Sequence, residues 1–102
     1  MSFAYAYEED SERPTNTWLQ SAKGNYYHVT DDGYVMVAYQ QKNGNWSGLV
    51  VPENNDGSQK PAFLPCPYRT PTSAMAETEL LLEAVRDVGF VNAATEYGER
   101  SL

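Results

Sequence analysis

Three runs rich in aromatic and β-branched residues, Tyr26 to Thr30, Tyr34 to Gln40 and Trp46 to Val51, are separated only by Asp31-Asp32-Gly33 and Lys42-Asn43-Gly44-Asn45. Both spacers carry turn chemistry. Glycine tolerates the positive φ of a tight reversal, and Asn-Gly between apolar runs is the strongest short-range hairpin signal. Connections this short leave no room for a crossover, so the runs are expected to form an antiparallel meander. Pro52, with no amide for a central ladder, ends the third strand.

Register decides which side chains share a face. A two-residue loop at Asn43-Gly44 sets Tyr39 against Gly48, Val37 against Val50 and Ala38 against Leu49, and a three-residue first turn sets Val29 against Val35 and Tyr27 against Val37. One face then holds Tyr27, Val29, Val35, Val37, Tyr39, Trp46 and Val50. The other holds Tyr26, His28, Thr30, Tyr34, Met36, Ala38, Leu49 and Val51, so both faces are apolar.

From residue 52 to 71 the chain reads as a loop, with a polar cluster at Glu53 to Ser58 and with Pro61, Pro65, Pro67 and Pro71 favouring extended backbone. A short fourth strand is expected around Ala62, Phe63 and Leu64. A helix is expected over about 73–88, capped near Thr72 or Ser73 and stopped at Gly89. Ala74, Thr78, Leu81, Leu82, Val85 and Val88 form its apolar stripe, with Glu79, Glu83, Arg86 and Asp87 turned to water. A rod of about 22 Å matches a strand of roughly 20 Å, so the helix suits one sheet face. The face with Val35, Val37 and Val50 is the drier and is its expected seat.

The fold class that follows is α+β: a three- to four-stranded antiparallel meander with one main C-terminal helix packed on one face. A chain of 102 residues is expected to make one domain over residues 17–102. The polar, acidic residues 1–16, with Glu8-Glu9-Asp10-Ser11-Glu12, read as a flexible arm.

A single helix leaves the second face uncovered, and a bare apolar patch of several hundred Å² exceeds what most monomers show. The expected partner-binding residues are therefore Tyr26, His28, Tyr34, Met36, Leu49 and Val51, through which the chain would form a homodimer or dock on a protein partner. Fourteen acidic against seven basic residues leave a net charge of −7. That field disfavours nucleic acid and anionic membranes and favours a partner with a basic surface.

Catalytic and metal motifs are lacking. His28 is the only histidine, and its strand neighbours offer neither carboxylate nor nucleophile. Cys66, the only cysteine, lies between prolines, away from any helix N-terminus that would activate it. The acidic stretch before Gly57 fails as a calcium loop, because Pro52 and Phe63 occupy the first and twelfth ligand positions. No catalytic residue, metal or cofactor is expected. No run approaches the roughly 20 apolar residues of a membrane span, the N-terminus lacks the pattern of a signal peptide, and a cytoplasmic setting is expected.

The functional reading is a small acidic non-enzymatic interaction protein, of the inhibitor or adaptor kind that mobile elements carry. The alternative is a small-ligand-binding or catalytic domain with a pocket between the sheet and the Pro-rich segment, with His28, Tyr34 or Tyr68 as its polar groups.

Overall fold

The computed structural model describes residues 18–100. Five strands form one antiparallel sheet in sequential order: β1 (Leu19–Gln20), β2 (Tyr26–Val29), β3 (Tyr34–Gln40), β4 (Trp46–Pro52) and β5 (Ala62–Phe63). Two helices follow, α1 (Pro71–Val88) and α2 (Phe90–Arg100). The α+β class is as expected. The sheet gains Leu19–Gln20 at one edge, and the acidic arm foreseen at 1–16 lies outside the described residues.

The first three reversals repeat one solution. Amides of Ser21, Thr30 and Gln41 donate to the carbonyls of Asn25, Tyr34 and Asn45 at 2.7, 2.8 and 2.7 Å. Each closes a three-residue loop ending in a glycine of φ 92–94°, namely Gly24, Gly33 and Gly44. This is the type I turn followed by a left-handed residue. A two-residue type I′ loop would need positive φ at Asn43 as well as Gly44, and no described non-glycine residue has it. Asn43 instead turns its carboxamide oxygen to the Asn45 amide at 3.0 Å, the local bond that Asn favours in turns.

The extra loop residue moves β4 by one position against the expected register. Met36 pairs with Val50, Val37 with Leu49, Ala38 with Gly48 and Tyr39 with Ser47. The β2–β3 register stands as read, with Val29 opposite Val35 and Tyr27 opposite Val37. A one-residue slip turns every side chain of a strand over. Val50 and Trp46 therefore join the Tyr26, His28, Tyr34 and Met36 side, while Leu49 and Val51 join the Tyr27, Val35 and Val37 side.

The helix occupies the side opposite to the one expected. α1 lies over β3 and β4, and its Leu81, Leu82, Ala84 and Val85 pack with Met36, Val50, Ala62 and Leu64. Thr70 is the N-cap, its hydroxyl receiving the Ser73 amide at 3.1 Å, and Pro71 occupies the first turn. Proline is suited there because its missing amide would have no helical partner. The helix thus starts two residues before the expected 73.

At Gly89 the chain turns with φ 86° and goes straight into α2. α2 anchors through Ala93 and Tyr97, with Phe90 against Tyr34 at 6.0 Å between ring centres. On the other sheet side Tyr27, Val35, Val37 and Val51 form a second cluster, none of it from the helices. Each is no more than 3% exposed in the single chain.

Candidate functional site

The six residues expected to form one docking face do not share one. Tyr26, His28, Tyr34 and Met36 lie on the helix-covered side. Met36 is buried beneath α1, and Tyr26 stacks obliquely on Trp46 at 5.8 Å. Leu49 and Val51 point to the opposite side, where Val51 is 2% exposed. The grouping failed because it depended on the β3–β4 register, which the three-residue loop shifts. The other expected site scatters as well: Tyr34 contacts Phe90 and Arg86, Tyr68 bridges Trp46 and bonds Tyr97, and His28 lies against Trp18.

The structure instead gathers His28 with groups that the sequence reading placed on separate elements. Because α1 sits over β3 and β4, the face of β2 is left beneath the helix rim. An open cleft of about 510 Å³ results, bounded by His28 and Thr30 of β2 and its end, Asp31 and Asp32 of the turn, Met36 of β3, and Glu79, Leu82, Glu83 and Arg86 of α1. The α1 contributors fall at spacings of three, four and seven, which places them along one helix face. Met36 and Leu82 supply apolar floor, and the carboxylates stand at the rim.

One ion pair fixes the rim. The Arg86 Nε and Nη2 donate to the two oxygens of Asp32, each at 2.9 Å, and the guanidinium lies 5.7 Å from the Tyr34 ring centre. The paired guanidinium bonds, and next the Thr30 hydroxyl, hold the Asp32 carboxyl well below its ordinary value, at about 2. Asp32 and Arg86 thus cancel. Asp31, Glu79 and Glu83 are left without an ion-pair partner among the described residues.

His28 lies at the cleft floor, 8% exposed. Trp18 meets it edge-on at 6.1 Å and gives its indole N–H to Glu79 Oε2 at 2.8 Å. The His28 Nδ1 is buried with no hydrogen-bond partner. Buried polar groups are almost always satisfied, so this atom lacks the partner that a protein interior normally supplies.

The cleft's acidic rim was partly readable. Glu79 and Glu83 are four apart on the wet face of a helix read correctly, and Asp31-Asp32 sit in a turn read correctly. Their proximity was not readable, because it depends on which sheet side receives the helix.

The described residues hold no group of three His, Cys, Asp or Glu side chains able to bind a metal. Cys66 is exposed. No described helix is long and apolar enough to cross a membrane. Comparison with protein-family models, with curated proteins and with solved structures yields no match.

Proposed function

We propose that this chain is a small acidic non-enzymatic interaction protein, working in the cytoplasm, that docks on a protein partner with a basic surface. The observation that carries the reading is the cleft beside α1, where Asp31, Glu79 and Glu83 have no ion-pair partner among the described residues after Arg86 has paired with Asp32. A concave, acidic rim focuses its field and attracts positively charged groups. The chain's net charge of −7 acts in the same direction. Self-association through this surface is disfavoured, since two copies would bring like charges together.

The test is binding of a hexa-arginine peptide to the full chain, followed by tryptophan fluorescence at rising salt. Binding that weakens steeply between about 0.05 and 0.5 M salt is expected, because exposed charges are screened over that range. Absence of binding at low salt, or binding indifferent to salt, would contradict the reading.

A small-ligand site remains the second reading, and the cleft favours it by size, since small-molecule pockets run from about 300 to 1,000 Å³. Such pockets are mainly apolar and enclosed, whereas this one is open and rimmed by carboxylates.

A further inference from the structure

We infer that the cleft is a receptor for one long basic side chain, a lysine or arginine presented by the partner polypeptide. The inference rests on the interaction reading above and makes it specific. A lysine or arginine has an apolar stem and a charged head, and it buries the first while keeping the second among polar groups. The cleft has that division in part: Met36 and Leu82, each 3% exposed, lie at its base, and the exposed Asp31, Glu79 and Glu83 offer acceptors around it.

His28 supplies the second, independent sign of a ligand. More than nine-tenths buried, it lines the same cleft and keeps an unpartnered ring nitrogen. A ring nitrogen accepts a hydrogen bond only in the tautomer that leaves it without a proton, and ammonium or guanidinium groups are donors only, so the proton is assigned to the other nitrogen. Trp18 also prepares the site, because its indole N–H fixes Glu79 and leaves the second carboxylate oxygen to receive a donor. Acidic peptides and phosphates are opposed by the same carboxylates.

The experiment follows the Trp18 indole N–H resonance of the full, nitrogen-15-labelled chain. The probes are blocked pentapeptides with arginine, lysine or glutamine between glycines, and methylguanidine as a free small cation. Saturable shifts with the arginine and lysine peptides, and none with the glutamine peptide, are expected. Methylguanidine is expected to bind more weakly, because it lacks the aliphatic stem and the backbone that would fill the rest of the cleft. Glu83→Gln should weaken the arginine peptide about three- to fivefold, the upper range for one exposed ion pair. Glu99→Gln, an exposed charge on α2, should leave it unchanged.

Equal response to the glutamine peptide, or unchanged affinity in a folded Glu79→Gln/Glu83→Gln variant, overturns the inference. Methylguanidine binding as tightly as the peptides also overturns it, pointing to a small-cation site. If hexa-arginine binds the chain yet ignores the Glu79→Gln/Glu83→Gln change, the cleft assignment fails, and the acidic-docking reading is left with the net charge of −7 as its only support. If hexa-arginine does not bind at all, both fall.

Discussion

The Arg86 guanidinium fastens the β2–β3 turn to α1 through both oxygens of Asp32. A carboxyl held below its unfolded value adds stability that is present above the ordinary pKa of 3.8 and is lost as pH falls through about 2. Carbon-13 titration of the side chain should therefore place the Asp32 midpoint near 2, and Arg86→Gln should return it toward 3.8. An Asp32 midpoint that Arg86→Gln leaves in place would show that the pair is not formed. The pair is exposed on both sides, so little change in overall stability is expected from breaking it.

A second side-chain chain ties the Pro-rich segment to both helices. Tyr97 donates to Glu77 Oε1 at 2.5 Å, which leaves the Tyr68 hydroxyl to donate to Tyr97 at 2.6 Å. Tyr97 is 3% exposed, so removing its hydroxyl strands both neighbours in a partly dry place. Tyr97→Phe is expected to cost about 1–2 kcal/mol in urea denaturation. An unchanged midpoint would mean that solvent replaces the hydroxyl freely.

Close approach between elements is set by small residues where α1 crosses β4. A side chain built on Gly48 would meet Thr78 Oγ1 at 1.9 Å and Leu64 Cδ1 at 3.0 Å. Ala38 stands opposite Gly48 and is wholly buried, as is Thr78. Gly48→Ala should destabilise by about 1–3 kcal/mol, the usual cost of overfilling a packed core. Adding Thr78→Ala, which deletes the clashing hydroxyl, should recover part of that loss. A freely tolerated Gly48→Ala would show that the helix sits farther from the sheet.

Strands β2, β3 and β4 announced themselves through aromatic and β-branched runs, and Ala62–Phe63 appeared where a short fourth strand was expected. β1 has only two residues and no alternation of its own; its strand state comes from pairing Leu19 with Tyr27. Pro71 was read as a helix breaker although the first turn is where proline fits. α2 carried a usable signal, since Phe90, Ala93 and Tyr97 recur at three and four residues, but its helix follows Gly89 without a capping side chain.

For the molecule as a whole, two apolar sheet sides were legible in the sequence, and their assignment was not. Asn-Gly permits either a two- or a three-residue loop, and the choice reverses which β4 residues meet the helix. The side without helices is buried in the single chain at Tyr27, Val35, Val37 and Val51. Exposed Phe63 at its β5 edge is 47% exposed. With Tyr27, Val35, Val37 and Val51 already buried, this side needs no second copy to cover them, which favours a single chain. Light scattering at low salt should give the single-chain mass of 11.4 kDa, and a doubled mass would reopen the homodimer.

The cleft, its His28 floor and its acidic rim all depend on Met36 and Val50 lying together under α1. Side-chain nuclear Overhauser contacts in solution read this directly. Contacts from the Met36 methyl to Val50 and Leu82, with none from Val37 to the α1 leucines, are expected; contacts from Val35 and Val37 to Leu81 or Leu82 would put the helix on the other side and contradict the account.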